Sequence, residues 1–383
     1  MEVIRRNSFP VFYISHITGV VLFIGAGFAH QYAVIVFISP PLLFYIIDRV
    51  TRTIRSWGVK THSVEVTLPN QQDVTKIVFT KGHSPRKVHP GQFVFLSVND
   101  GTLASKLGNF FDWHPFTISE VLSSGPTESA GDQKVEPSEG TSNVDLENSL
   151  AKRVTQPHRT EPLRASVHMK QLGRFTNRIH SQVMKNDKTL HVHVDGPYGS
   201  STLALERHNV VVFFEAGIGI TPSLTMLRDL AEKCNTDPLS VQTTAIYFIW
   251  VTANMSKCLL MFLNVMNAEF LLIPLNSVDN VNVFLPQLMK SFKIATSAIA
   301  PPHIECDIYI SQSSVQTTDT SLFENLQFRS GRPAIQDILS AIDTKHAEST
   351  IALQTCGPTS FMRQAANAAN KKGWAVRRET FEF

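Results

Sequence analysis

The chain has 383 residues and a formal net charge of +3, with 17 % charged and 43 % hydrophobic residues. That length leaves room for two or three domains and a sizeable core, while so small a net charge gives no basis for a nucleic-acid partner. Four cysteines (Cys234, Cys258, Cys306 and Cys356) lie far apart without a CxxC pair, which argues against a zinc site or a disulfide framework and suits a reducing, cytosolic compartment for the bulk of the chain.

Residues 9–30 read FPVFYISHITGVVLFIGAGFAH and residues 31–47 read QYAVIVFISPPLLFYII, and neither run holds a Lys, Arg, Asp or Glu. Crossing a bilayer takes roughly 20 apolar residues, so residues 1–57 are expected to form a transmembrane helical hairpin. Arg5 and Arg6 precede the hairpin and Arg49, Arg52 and Arg55 follow it, which places both ends in the cytosol. A signal peptide is the rival reading; the length of the first run and the second run directly behind it oppose that. His16 and His30 are 14 residues apart. At about 100° and 1.5 Å per residue they share one helix face, roughly 21 Å apart. Ionisable groups inside a membrane are costly and point to function, and neutral imidazole is a good iron ligand. The alternative is one hydrogen-bonded buried His and one interfacial His.

From about residue 58 the texture changes. HSVEVTLP, DVTKIVFTK and GQFVFLSV are short, β-branched and partly alternating, with Pro or Gly nearby. Such runs predict strands of a small antiparallel barrel. Residues 121–162 lose all periodicity, and their Ser, Gly, Glu and Pro content predicts a disordered insert. Strand texture resumes at LRASVHMKQLG. After about residue 206 apolar strands alternate with helices: NVVVFFEAGIGITPSLTMLRDLAEKC, TAIYFIWVTA, CDIYISQ, and STIALQTCGP opening into TSFMRQAANAANKKG. Continuous apolar strands between helices imply a doubly wound parallel sheet.

The glycines of EAGIGITP sit between a strand and a helix, where backbone can approach a phosphate and a helix N-terminus favours an anion. DGPYG reads as a turn closing the barrel. TCGP ends a parallel strand, and ligands bind outside such ends.

The order of these segments is more specific than any one of them. HPFTIS, GRFT, DGPYG, AGIGITP, TCGP and a terminal ETFEF follow one another as in the ferric reductase and NADPH oxidase family of flavocytochromes, which the chain resembles from residue 9 to its last residue, the insert aside. The resemblance implies an α/β, ferredoxin-reductase-like chain behind the membrane hairpin: an antiparallel β-barrel flavin domain over 58–205, then a doubly wound parallel-sheet nucleotide-binding domain over 206–383. It implies FAD and NADPH as cofactors. His114, Pro115, Phe116, Thr117 and Ser119 match the flavin segment. There Phe116 packs on the isoalloxazine, Thr117 offers its hydroxyl near the reactive nitrogen, His114 lies by the pyrophosphate and Ser119 supports the loop. Lys170, Gly173 and Thr176 match the second FAD segment. Gly196, Pro197, Tyr198 and Gly199 match the turn facing both cofactors. Gly217, Gly219, Thr221 and Pro222 match the pyridine-nucleotide loop, while Cys356, Gly357 and Pro358 match the segment beside the nicotinamide. Phe383 matches the terminal aromatic that covers the flavin. Thr117, Cys356 and Phe383 are therefore the expected catalytic residues. For a 2′-phosphate the sequence offers Lys257 and Arg332, either of which also reads as a surface-loop charge.

The resemblance also makes His16 and His30 haem ligands, each clamping one haem b with a histidine from a second helix. That second helix has no counterpart here, nor do the first four helices of the usual six. Three expectations follow: a truncated chain, a second chain supplying the missing ligands, or a chain that keeps only the dehydrogenase half-reaction. The implied activity is ferric-chelate reduction at the plasma membrane, with chelated ferric or cupric ion as acceptor and the flavin and nucleotide domains in the cytosol. The alternatives are a superoxide-generating NADPH oxidase and a non-catalytic, membrane-tethered flavodomain.

Overall fold

The computed structural model describes residues 9–31, 33–58, 61–67, 74–81, 88–99, 113–122, 163–185, 191–199, 203–253, 280–298, 301–312 and 326–380. Residues 1–59 and residues 60–380 form two compact units.

The first unit contains helices α1 (Phe9–His30) and α2 (Ala33–Gly58). The chain reverses between them through Gln31, whose N–H donates to Gly27 O and whose carbonyl accepts from Val34 N, both at 3.0 Å. Among the described residues, one stretch is long and apolar enough to cross a membrane: Ala33–Thr51 in α2, which contains Pro40 and Pro41. The apolar part of α1 is the shorter Ile14–His30. The expected pair of spans over 9–30 and 31–47 therefore becomes two helices, the second carrying the longer apolar run. His16 and His30 both lie on α1, and the His16 ring stacks on Phe12 at 5.9 Å.

The second unit contains two sheets. Strands β1 (Thr61–Thr67), β2 (Val74–Lys81), β3 (Phe93–Asn99), β4 (His114–Leu122), β5 (Leu163–Lys170) and β6 (His191–Tyr198) are antiparallel in the order β1-β2-β5-β4-β3-β6. The sheet curls so that β6 returns beside β1. Alternation turns Val94, Leu96 and Val98 of β3, Phe116 and Ile118 of β4, and Ala165, Val167 and Met169 of β5 into one core. Helix α3 (Arg174–Met184) closes that core with Phe175 and Ile179. The stretch after Lys170 therefore leaves the strand and becomes helical, because Gly173 caps a segment whose apolar residues recur at helical spacing.

The other sheet is parallel. Its strands are β7 (Val210–Ala216), β8 (Ala245–Thr252), β9 (His303–Ile310), β10 (Leu326–Ser330), β11 (Ile351–Cys356) and β12 (Ala375–Glu379), in the order β10-β9-β8-β7-β11-β12. Helices α4 (Ile220–Thr236) and α5 (Asn280–Thr296) cover one face through Leu224, Leu227, Phe284 and Leu288. Helices α6 (Ile335–Lys345) and α7 (Thr359–Asn370) cover the other through Leu339, Ile342, Ala365 and Ala369. Covered on both faces, β7 and β11 are buried almost throughout, as central parallel strands are. The chain leaves β7 toward β8 on one side and returns to β11 on the other, so the strand order reverses between β7 and β11. A crevice for ligands opens outside the carboxyl ends of two such strands.

Two glycines bring the loops at this reversal together. A Cβ on Gly219 would lie 2.6 Å from Cys356 O and 2.9 Å from Gly357 N, both backbone atoms, while Gly217 has φ +58° and nothing within 4 Å of its Cβ position. Gly219→Ala is therefore expected to cost about 3 kcal/mol or more through overpacking, against about 1–2 kcal/mol for the left-handed conformation in Gly217→Ala. Urea unfolding of both variants checks this, and equal losses would contradict the backbone contact.

Candidate active site

The segment WHPFTIS lies on β4, and strand alternation divides its side chains between two faces. Phe116 points into the barrel core, 7 % exposed, with Phe175 of α3 stacked on it at 5.9 Å and tilted against His114 at 4.1 Å. Thr117 lies on the opposite face, 5 % exposed and paired in register with Phe93. Pro115 is exposed. The Ser119 hydroxyl donates to Ser166 O at 3.0 Å and lies 2.5 Å from Nδ1 of His168. Ser119 thus ties β4 to β5. His168 is itself buried, its ring edge-on to Phe284 of α5 at 5.2 Å, and its Nε2 has no hydrogen-bond partner among the described residues. Burial, and secondarily the charge of Lys76, lowers its pKa to about 3. Neutral His168 is therefore part of the contact between barrel and parallel sheet.

Lys170 ends β5, and α3 begins at Arg174, four residues on, with Gly173 as N-cap. The Thr176 hydroxyl accepts the N–H groups of Leu172 and Gly173 at 3.0 and 3.1 Å and donates to Gly173 O at 3.1 Å. Thr176 is thus spent on the turn, and its contribution is to aim the N-terminus of α3 outward. That terminus is flanked by half-buried Lys170 and exposed Arg174, a donor set that suits a pyrophosphate.

At the end of β6 the Tyr198 hydroxyl donates to Asp195 Oδ2 at 2.8 Å, and its ring meets Phe93 and Phe95 at 6.1 and 5.7 Å. Gly196 has φ +135°, and a Cβ there would lie 3.2 Å from Phe93 O, so the turn presses on β3. Pro197 is buried, and Gly199 O accepts from Gln92 Nε2 at 2.8 Å. Phe93, Phe95 and Tyr198 form a half-buried aromatic wall beside Thr117. Such a wall suits a flat ring system.

Across the unit lies the glycine loop. Gly217–Gly219 form a 3-10 turn between β7 and α4, and α4 starts without a side-chain cap. Its orphan N–H groups and positive end face the crevice. Trp250, fully buried on β8, donates its indole N–H to Gly217 O at 3.0 Å and holds the loop from below. Thr221 and Pro222 are buried, and the Thr221 hydroxyl donates to Ile218 O at 3.1 Å, so both shape the turn. Gly357, at φ +152°, abuts Ala216, and exposed Pro358 caps α7. Cys356 is fully buried, and burial, with Glu215 and Glu379 adding, pushes its thiol well above the ordinary range. Arg332 is exposed after β10, at the edge of the sheet away from β11. Lys257, Phe383 and most of the insert, residues 123–162, lie outside the described residues.

The structure thus gathers the glycine loop with Cys356 and Gly357, and the β4 segment with the β6 turn and the α3 N-terminus. It leaves Arg332 apart from both groups. Trp250, Phe175, Phe93, His168 and Glu215 escape a sequence reading. Glu215 alone signals itself, as an acid within the apolar run VVVFFEA.

A curled antiparallel barrel with an aromatic wall and an anion-ready helix end, followed by a doubly wound sheet with a glycine loop at its reversal, defines the ferredoxin-reductase-like class of flavin and pyridine-nucleotide proteins. Residues 208–370 match the ferric reductase NAD binding domain and residues 56–132 an FAD-binding domain. The chain thus carries a ferric reductase NAD binding domain and an FAD-binding domain, and its relatives include ferric reductases and NADPH oxidases. It is 25 % identical over 328 residues to NADPH oxidase 1 of Mus musculus, covering 85 % of this chain and 45 % of that protein. It is 23 % identical over 395 residues to ferric/cupric reductase transmembrane component 2 of Schizosaccharomyces pombe, covering 96 % and 61 %. With ferric reduction oxidase 3, mitochondrial, of Arabidopsis thaliana it shares 28 % over 240 residues, covering 61 % and 26 %. The chain spans less than two thirds of each of these relatives.

The burial of His168 sets an acid limit. Its folded pKa of about 3 lies below the ordinary 6.5, so its contribution to stability is complete above pH 6.5 and is lost as pH falls from there toward 3. The full loss is on the order of 5 kcal/mol at about 1.4 kcal/mol per unit. His168→Leu removes this titration, and its Tm is expected to fall less between pH 7 and pH 5 than that of the unmodified protein. Parallel slopes in thermal melts would contradict the assignment.

Proposed function

We propose that this chain is an NADPH-dependent flavin oxidoreductase of the ferric-chelate reductase type, membrane-bound, with its flavin and nucleotide sites in the cytosol and chelated ferric or cupric ion as the final acceptor. The observation that carries the reading is the crevice at the β7–β11 reversal, where Gly217, Gly219 and Gly357 let backbone lie open beside an uncapped helix end. In this reading the α4 N-terminus holds the NADPH pyrophosphate and Arg332 or Lys257 reads the 2′-phosphate. On the barrel, the α3 N-terminus with Lys170 and His114 holds the FAD phosphates. Phe93, Phe95 and Tyr198 shape the flavin wall, and Thr117 offers a hydroxyl at its polar edge. Bound FAD supplies the step from a two-electron hydride donor to single electrons. Cys356 borders the nicotinamide from β11, and the terminal Phe383 is the aromatic that covers the flavin until nicotinamide takes its place.

A bis-histidine haem does not fit the described hairpin by itself. His16 and His30 sit on the same helix, and α2 contains no histidine. Each would need an imidazole from outside the hairpin, such as a second chain, so no step is assigned to haem here. Membrane attachment with the following residues on the cytosolic side draws support from the apolar Ala33–Thr51 and the arginines that follow it.

The test is an anaerobic absorption spectrum of the detergent-extracted, FAD-loaded chain. Flavin bands are expected to bleach on addition of NADPH and to return on addition of ferric chelate. A chain that takes up no flavin, or whose flavin NADPH leaves oxidised, would overturn the reading. Return of the bands with oxygen but not with ferric chelate would favour the superoxide-forming alternative.

A further inference from the structure

Glu215 is the last residue but one of β7 and is fully buried. Ser223, in the first turn of α4, donates to its Oε1 at 2.5 Å, while Oε2 has no hydrogen-bond partner among the described residues. In register it pairs with Cys356 on β11, which pairs in turn with Glu379 on β12. Ala352 packs with Val211 and Phe213 on the α4 face of the sheet. Alternation therefore puts Glu215, Gln354 and Cys356 on that same face. Gln354 is also fully buried, with neither end of its amide hydrogen-bonded among the described residues. Two buried polar side chains with unpartnered atoms, Glu215 Oε2 and the Gln354 amide, thus lie under the glycine loop, which begins only two residues after Glu215.

The charges around this carboxyl are few. From β12, Arg377 and Glu379 pair at 3.1 Å. From β11 comes the Cys356 thiol. The acids and bases of α4 pair with one another farther along the helix, Arg228 with Glu232 and Lys233 with Asp229, both at 2.8 Å. On β8 the same face presents Ile246, Phe248 and Trp250. The barrel adds Gly91, whose N–H donates to Thr225 of α4 at 3.3 Å. Thus no described cation contacts Glu215. Burial pushes the carboxyl well above its ordinary range; Ser223 and the Cys356 N–H pull the other way, and Glu379 adds to the rise.

We propose that Glu215 is a positioning residue whose proton sets the affinity of the dinucleotide site: with the proton in place the α4 N-terminus receives an anionic dinucleotide, and once the proton leaves, the carboxylate under the loop competes for the same helix end and repels it. The physical basis is that a helix N-terminus favours one negative charge close by, and charges in a dry site interact strongly. This rests on the reading of the β7–β11 crevice as the dinucleotide site.

The experiment is calorimetric titration of NADP+ into the FAD-loaded full chain from pH 6.5 to 9.5, comparing the unmodified protein with Glu215→Gln and Ser223→Ala. Titration of the 2′-phosphate affects all three alike and cancels in the comparison. The unmodified protein is expected to lose about tenfold more affinity over this range than Glu215→Gln, which keeps the shape and cannot ionise. Ser223→Ala removes a hydrogen bond that favours the carboxylate, so its loss should move to higher pH, and it serves as the second readout where Glu215→Gln folds poorly. Equal pH slopes in all three proteins would overturn the proposal and leave the dinucleotide site standing. Failure of the unmodified protein to bind NADP+ at any pH would overturn the dinucleotide site itself, and the proposal with it.

Discussion

Two loops meet through backbone alone at the carboxyl ends of β7 and β11, and the rest of the site depends on that contact. Any side chain on Gly219 would enter the Cys356 carbonyl, and Gly357 at φ +152° fits against Ala216 for the same reason. The approach fixes where α4 begins. It also fixes which atoms surround the crevice: peptide N–H groups and carbonyls, which suit a polyanion, with little side-chain bulk. Trp250 completes the arrangement from β8 by holding the Gly217 carbonyl.

Helix α4 serves both halves of the second unit. Its N-terminus faces the crevice, its apolar stripe packs on β7, β8 and α5, and its outer side meets the barrel. There Thr225 accepts from Gly91, and Arg228 donates to the Val121 carbonyl at 3.3 Å. His168 against Phe284 adds a second contact, between β5 and α5. These cross-contacts join the part of the chain that matches an FAD-binding domain to the part that matches the ferric reductase NAD binding domain. The contact has a polar component, His168, which burial holds neutral.

Some of the buried polar groups in this protein lie where its chemistry is proposed. Ser119 and His168 satisfy one another behind the β4 segment, and Ser223 satisfies half of Glu215 behind the glycine loop. Unsatisfied buried groups are costly and rare. Their presence beside the crevice marks a place where stability has yielded to another requirement.

The amino-acid sequence alone determined the change of texture near residue 58, the antiparallel then parallel character of the two sheets, and the order of the glycine and proline punctuation. These are local properties. Period-two alternation reports a half-buried strand, an unbroken apolar run reports a strand covered on both faces, and a glycine between strand and helix reports a tight turn. The start of α3 at Arg174, the turning of Phe116 into the core, the pairing of Ser119 with His168 and the meeting of Glu215 with Ser223 were decided only by the tertiary structure. Ser119 and His168 are 49 residues apart, brought together by the register of β4 against β5 with its irregularity between Ile118 and Glu120. Glu215 stands out as an acid in an apolar strand, but its neighbours Cys356 and Glu379 come from β11 and β12, more than a hundred residues onward. Periodicity says which face of an element is apolar; which polar side chains share that face depends on strand order and register, set by packing between segments remote in the chain.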